Sequence, residues 1–130
     1  INYVASPLRE KLVELYQRAN VFALPSDEEG LGVVLLESMA CGVPVVSTRS
    51  GGPDGVVTDG RDGFLVPRND ALAMADRLSR LLEDPGLNAS MGREARRTVE
   101  LTYAERVAGN AFIDVWERLL TKTGGSPCAG

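Results

Sequence analysis

The sequence has no histidine and only two cysteines among its 130 residues. Histidine is the commonest metal ligand in proteins, and no group of the remaining ligand types stands at metal-binding spacing. We therefore expect no metal and no other cofactor. Cys41 lies in an apolar segment and Cys128 lies near the end of the sequence, so no disulfide framework is indicated. This cysteine usage fits a reducing compartment.

Long apolar runs and an excess of positive charge are also missing. No stretch approaches the ~20 consecutive apolar residues of a transmembrane helix, and no signal peptide is visible. The formal net charge of −4 argues against a nucleic-acid-binding surface. Arg93, Arg96 and Arg97 share one predicted helix, where a solvated face explains them and contact with acidic lipid is the alternative. We expect a cytoplasmic location, with peripheral contact to the inner face of the membrane as that alternative.

Residues 21–47 combine apolar segments with a polar, glycine-bearing loop. The pattern predicts a strand over residues 21–24, a loop over 26–32, an apolar helix over 33–41 and a second strand over 43–47. A strand, a helix and a second strand form one crossover unit of a parallel α/β sheet. Such sheets bind ligands beyond the carboxyl ends of their strands, where this loop is expected to lie.

Two carboxylates belong to this unit, with Glu29 just before the predicted helix and Glu37 inside it. Gly30 and Gly32 let the backbone approach a ligand, and the unpaired amides at the start of the helix attract phosphates. An ionised carboxylate on an apolar helix is costly to bury without a partner. The vicinal hydroxyls of a sugar or ribose beside a diphosphate would supply that partner. The alternative is that Glu37 reaches solvent or pairs with an arginine, and that Glu29 is a solvated loop acid.

Residues 25–46 read Pro-Ser-Asp-Glu-Glu-Gly-Leu-Gly, four further residues, and then Glu-Ser-Met-Ala-Cys-Gly-Val-Pro-Val-Val. This run resembles the donor-binding signature of retaining glycosyltransferases with the GT-B fold, the group 1 family. The signature has Phe where this chain has Leu31, and Ala where it has Ser38. The resemblance covers about residues 3–120. It implies an α/β fold with a Rossmann-like parallel sheet flanked by helices, which is the carboxy-terminal half-domain of a GT-B fold.

The resemblance also implies a set of donor-binding residues, namely Glu29, Gly30, Leu31, Gly32, Val33, Val34, Glu37, Gly51 and Gly52. Glu29, the candidate catalytic residue, would contact hydroxyls of the donor sugar, and Glu37 would hold the ribose. Backbone amides of residues 30–34 would face the sugar and the diphosphate. Gly51 and Gly52 would line the crevice near the donor, with an ordinary turn as the alternative.

The chain lacks several features of the family pattern. The family often carries a glutamate where this chain has Gly55. Its members also clamp the diphosphate with an upstream Arg and Lys, and they bind the acceptor in an amino-terminal domain. We expect residues 1–121 to be a partial nucleotide-sugar-binding domain and residues 122–130 to be a disordered tail. The acceptor, a sugar, lipid or small molecule, would be bound by the absent domain, and the chain alone would be inactive.

Together these features predict part of a glycosyltransferase that moves a sugar from a nucleoside diphosphate sugar to an acceptor hydroxyl, with retention. The carboxylates would orient donor hydroxyls. Three alternatives stay open. A glycosidase-like pair would need carboxyl groups roughly 5–9.5 Å apart across a sugar. A sugar-nucleotide epimerase shares the fold, and a non-catalytic nucleotide-sugar or protein-binding module would bind without turnover.

Further helices are predicted on both sides of this unit. Their starts are expected near Ser6, at Asn69 or Asp70, at Asp84, and at Thr102, which would form a capping box with Glu105. The helix that follows Asp70 is expected to turn these residues inward: Leu72, Ala75, Leu78 and Leu82. The last helix carries an apolar stripe over residues 107–120, which either covers its own sheet or meets another domain.

Overall fold

The computed structural model describes residues 3–104. In chain order the elements are α1 (Arg9–Arg18), β1 (Phe22–Leu24), α2 (Val33–Ala40), β2 (Val45–Thr48), α3 (Gly52–Val56), β3 (Gly63–Val66), α4 (Ala71–Glu83), α5 (Pro85–Thr98) and a π-helical turn (Val99–Tyr103). The predicted strand–helix–strand unit is confirmed as β1–α2–β2. Glu105 of the predicted capping box, the apolar stripe over 107–120 and the predicted tail lie outside the described residues.

The three strands form one parallel sheet in the order β1–β2–β3. Phe22 pairs with Val45, and Val46 pairs with Phe64. Every residue of β2 and β3 is buried, as expected for parallel strands covered on both faces. The predicted α/β class, a Rossmann-like parallel sheet flanked by helices, is confirmed. Because the strands run the same way, the loops that follow them meet at one edge of the sheet.

Alternate residues of β2 pack into two halves of the core, because side chains of a strand point to opposite faces of its sheet. Val45 packs with Leu35 and Met39 of α2. Val46 packs with Leu81 of α4. Burying each of these side chains contributes about 1.5–3 kcal/mol of transfer free energy. The helix that leads away from the candidate site, α2, is therefore held firmly against the sheet.

Glycines in the left-handed region mark both ends of α2. Gly32 precedes the helix with φ of 73°, and Gly42 follows it with φ of 75°. Glycine adopts this conformation without the steric cost that a Cβ brings. Cys41, predicted as the last helical residue, is the C-cap. Since the start of α2 is fixed at Val33, Glu37 lies in its second turn.

The helix starts were predicted with mixed success. α1 begins at Arg9, so the predicted start near Ser6 is wrong. Ser6 has φ of 41°, which is not a helical conformation, and the N-cap, Leu8, has no side-chain oxygen to accept from the first turn. Asp70 and Asp84 are confirmed as N-caps of α4 and α5. Each accepts the backbone N–H three residues ahead at 2.9 Å.

The predicted buried face of α4 is confirmed at Leu78 and wrong at its other three residues. Leu72 and Leu82 are 85% and 57% exposed. The helix instead buries Leu81 and packs Met74 and Leu78 against the core around it. These three residues have the i, i+4, i+7 spacing of one helical face, as do several combinations of apolar residues in this segment. The true face is turned by about one residue, roughly 100°, from the predicted one.

Candidate functional site

Main-chain hydrogen bonds join the loops that follow β1 and β2 at the carboxyl edge of the sheet. The N–H of Glu29 donates to the carbonyl of Ser50 at 3.1 Å, and the N–H of Gly52 donates to the carbonyl of Glu29 at 2.8 Å. Glu29 and Gly51 form a parallel bridge beyond the ends of the two strands. The backbone of Glu29, the candidate catalytic residue, is therefore fixed to the neighbouring loop.

Gly52 allows this close approach of the two loops. A Cβ atom at position 52 would lie 2.1 Å from the carbonyl oxygen of Gly30 and 2.9 Å from that of Glu29. Gly51 has φ of 105°, a conformation that also favours glycine. The two predicted glycines thus have different positions. Gly51 lines the cleft at this edge, whereas Gly52 packs against the loop that carries Glu29.

A cleft of about 570 Å³ opens between the loops at this edge. The residues that line it are Glu28, Glu29, Gly30, Arg49, Ser50, Gly51 and Arg68. Two carboxylates and two guanidinium groups therefore border one space. Hydroxyl groups can donate to the carboxylates, and anionic groups can bind the guanidinium groups.

The two arginines of the cleft differ in their partners. The guanidinium of Arg49 lies 3.2 Å from a carboxylate oxygen of Asp59 and 3.5 Å from one of Asp54. Arg68 donates to the backbone carbonyl of Asp27 at 3.2 Å. Within residues 3–104 no carboxylate forms an ion pair with Arg68. Its positive charge is therefore not neutralised by a direct neighbour in the described part of the chain.

Arg49, Ser50 and Arg68 were not among the predicted site residues. Their positions in the sequence could have indicated them, since Arg49 directly follows β2 and Arg68 lies two residues after β3. The carboxyl ends of parallel strands meet at one edge. Arg49 could therefore have been placed beside Glu29 from the predicted strand over residues 43–47.

The first turn of α2 opens near the same loop. Gly32 is the N-cap and has no side chain to accept from that turn, and its carbonyl accepts from the N–H of Leu35 at 2.9 Å. The N–H groups of Val33 and Val34 lie where a helix offers no internal acceptor. The side chains of Leu31 and Val33 are 58% and 55% exposed. The partial positive charge of this helix end can therefore meet an anionic ligand.

Glu37 faces a second, smaller cleft of about 190 Å³. Its other lining residues come from α1 and from the carboxyl end of α2: Leu12, Val13, Tyr16, Ala40 and Cys41. The hydroxyl of Tyr16 donates to Glu37 Oε2 at 3.1 Å. Glu37 is exposed, so the burial cost expected from the sequence does not arise. Glu37 thus reaches solvent, as the alternative expected, and its hydrogen-bond partner is a tyrosine rather than an arginine.

The structure therefore brings some predicted site residues together and separates others. Residues 29 and 30 and Gly51 border the larger cleft, and Glu37 borders the smaller one. Glu37 lies four positions beyond Val33 on the helix, a rise of roughly 6 Å. A ligand that contacts both carboxylates must extend along the first turns of α2. A glycosidase-like pair that acts across one sugar does not fit acids in different clefts.

Residues 3–104 contain no group of three or more Cys, Asp or Glu side chains placed to hold a metal ion. Cys41 is a free cysteine, and burial raises the pKa of its thiol. Over the same range, none of the helices combines the length and the apolarity needed to cross a bilayer.

A parallel sheet, a helix bounded by glycines and a cleft at the carboxyl edge define a Rossmann-like half-domain, and its structural neighbours are glycosyltransferases with the GT-B fold. Sucrose-phosphate synthase from Thermosynechococcus elongatus superposes with a TM-score of 0.85 at 31% identity, over 93% of this chain and 30% of that protein. Anabaena Alr3699/HepE in complex with UDP-glucose gives a TM-score of 0.68 at 25% identity, over 80% of this chain and 30% of that protein.

The family described as glycosyl transferases group 1 matches residues 3–98, and the chain belongs to it. A curated relative, D-inositol 3-phosphate glycosyltransferase from Streptomyces avermitilis, is 39% identical over 108 residues. That match covers 83% of this chain and 23% of the relative. The chain spans about a quarter of the length of the curated relatives it matches. The family membership that the sequence resemblance implied is confirmed.

Proposed function

We propose that the chain is the donor-binding domain of a retaining glycosyltransferase. The full-length enzyme would transfer a sugar from a nucleoside diphosphate sugar to an acceptor hydroxyl. One observation carries the proposal: Glu29 and Gly51 border a cleft beside the open first turn of α2, in a chain of the glycosyl transferases group 1 family. A carboxylate that accepts from hydroxyls then stands near N–H groups that bind phosphate.

The donor would lie along the first turns of α2. Its diphosphate would meet the amides of Val33 and Val34, and its ribose would reach Glu37. Its sugar hydroxyls would reach Glu29 in the larger cleft, where Gly51 and the backbone of residues 30–32 offer further contacts. Gly52 would act by holding the Glu29 loop in place, because its own surface faces that loop.

In the transfer step the bond between the anomeric carbon and the β-phosphate oxygen breaks. The acceptor oxygen bonds to the anomeric carbon on the same face and passes its proton to the departing phosphate oxygen. Negative charge grows on the departing diphosphate, and the amino terminus of α2 stabilises that charge. Arg68 adds a positive charge at the same edge. Glu29 orients the sugar hydroxyls in this proposal, and the transfer step as proposed uses no metal ion.

The acceptor site would be completed by a second domain, because the chain accounts for about a quarter of its curated relatives. The acceptor would be a sugar, a lipid or a small molecule. One structural neighbour was crystallised with UDP-glucose, so UDP is the first nucleotide to test. We place the enzyme in the cytoplasm, in keeping with its cysteine usage, with the inner membrane face as the site of a lipid acceptor.

Calorimetric titration of the 130-residue chain with UDP, GDP and ADP, each with and without attached glucose, tests donor binding. The chain should bind one nucleotide. Glu37→Gln should weaken that binding by about 1–3 kcal/mol, because a hydroxyl loses its charged acceptor. Glu83→Gln, which changes an exposed glutamate of α4, is the matched control and should bind as the unmodified chain does.

Glu29 is tested by comparing a nucleotide with its sugar conjugate. Glu29→Gln should weaken binding of the nucleotide sugar and leave binding of the free nucleotide unchanged. No binding of any nucleotide by the chain, or equal binding by the Glu37→Gln variant, contradicts the proposal. Turnover assays on the full-length protein then separate an enzyme from a non-catalytic binding module.

A further inference from the structure

Tyr16 and Glu37 form a contact between two helices that are separate in sequence. The hydroxyl of Tyr16 on α1 donates to Glu37 Oε2 on α2 at 3.1 Å. The contact lies at the cleft between these helices, away from the loops at the carboxyl edge of the sheet. It is the one side-chain hydrogen bond that Glu37 makes among residues 3–104.

Tyr16, which donates this hydrogen bond, is held in place by its packing. Tyr16 is only 7% exposed. Its ring packs edge-to-face on Phe22 of β1, with ring centroids 5.6 Å apart. Burial is the main cause that raises the pKa of Tyr16 to about 12, and the neighbouring Glu37 adds to it. The Tyr16 hydroxyl therefore keeps its proton at neutral pH and can donate its hydrogen bond to Glu37.

Without this hydrogen bond the side chain of Glu37 would be mobile. Glu37 is exposed, and a glutamate side chain that becomes fixed on ligand binding loses rotamer entropy. A carboxylate offers roughly four lone-pair sites, and Tyr16 occupies one of them on Oε2. The remaining sites, including all of Oε1, can accept from two adjacent hydroxyl groups.

We propose that Tyr16 is a positioning residue that holds the Glu37 carboxylate ready to accept from the vicinal hydroxyls of the donor ribose. This inference rests on the proposed function, because it concerns the ribose contact assigned there to Glu37. Tyr16 acts through Glu37 and touches no reacting atom. Fixing the carboxylate before the ligand arrives reduces the ordering cost of binding.

The test compares UDP with 2′,3′-dideoxy-UDP, which lacks both ribose hydroxyls. Tyr16→Phe keeps the ring and removes only the donor. It should weaken binding of the ribonucleotide about three- to tenfold, the range of one net hydrogen bond, and leave binding of the dideoxy analogue unchanged. In the presence of Glu37→Gln, adding Tyr16→Phe should weaken binding no further.

Tyr103→Phe is the matched control. It removes a tyrosine hydroxyl that donates to the backbone carbonyl of Gly55 at 3.1 Å and not to Glu37. It should leave binding of both nucleotides unchanged. Thermal unfolding of each variant shows whether a change in binding follows from loss of the fold.

The outcomes separate the two proposals. If Glu37→Gln weakens ribonucleotide binding and Tyr16→Phe does not, the positioning role of Tyr16 is overturned and the role of Glu37 stands. If Tyr16→Phe weakens binding of both ligands equally, Tyr16 has only a structural role. If the unmodified chain binds the ribonucleotide and its dideoxy analogue equally, no ribose contact exists, and the assignments of Glu37 and Tyr16 both fail.

Discussion

One methyl group at position 52 should disrupt the candidate site. The Cβ of Gly52→Ala would lie 2.1 Å from the Gly30 carbonyl oxygen, whereas ordinary contacts begin at 3.4 Å. The loops must therefore move apart by more than an ångström. Overpacking of this kind costs about 1–3 kcal/mol. The movement also breaks the bonds that join Glu29 to Ser50 and to Gly52, at about 1 kcal/mol each. We expect a total loss of about 3–5 kcal/mol of unfolding free energy.

Gly55→Ala provides the matched control on the same short helix, α3. A Cβ atom at position 55 meets nothing within 4 Å, so this change should be neutral or stabilise the chain by up to about 1 kcal/mol. Urea unfolding followed by circular dichroism measures both variants. Gly52→Ala should also lose nucleotide-sugar binding, because the Glu29 loop is displaced. Equal stability of the two variants would refute the assignment of Gly52 as the close contact between the loops.

Three further predictions concern buried polar groups. The hydroxyl of Ser38 is buried without a hydrogen-bond partner among the described residues, so Ser38→Ala should raise the unfolding free energy by about 1 kcal/mol in urea unfolding, and a loss would contradict this. Asp62 is fully buried and accepts from a backbone amide and from the Thr98 hydroxyl. Asp62→Ala should therefore lower the unfolding free energy by about 2–4 kcal/mol. Asp76→Ala, on the exposed side of α4, should lower it by less than about 0.5 kcal/mol. Because the pKa of Tyr16 is raised from 10 to about 12, the folded state holds a proton that the unfolded state releases, so stability should fall as pH rises from 10 to 12, and Tyr16→Phe should remove that part of the fall.

The sequence was sufficient for the features that local patterns determine. β1, α2 and β2 were predicted because short apolar runs are bounded by Pro25, Gly32 and Gly42, and these residues restrict where an element can begin or end. The caps at Asp70 and Asp84 were predicted for a similar reason, since a side-chain oxygen there reaches an amide three residues ahead. The long signature around Glu29 and Glu37 then identified the family.

Features that depend on contacts between distant residues were not predictable in the same way. Tyr16 reaches Glu37 across 21 residues of sequence, and neither residue's local pattern identifies the other. The 2.1 Å approach at Gly52 depends on how two loops pack, which no turn pattern specifies. The buried face of α4 was chosen wrongly at all but Leu78 because its apolar residues fit more than one helical stripe, and the sheet decides which stripe is buried.

The separation of the two clefts suggests how recognition by this domain is divided. The larger cleft is built from loops at the carboxyl edge of the sheet, and its geometry depends on the contact between Gly52 and the Glu29 loop. The smaller cleft is built from α1 and α2, and its carboxylate depends on Tyr16. Residues of α2 are packed into the core, and α1 reaches Glu37 through Tyr16, whereas the backbone of Glu29 is bonded to Ser50 and Gly52. The proposed contacts to the sugar and to the nucleoside could therefore change independently, with the first turn of α2 as the proposed phosphate-binding element between them.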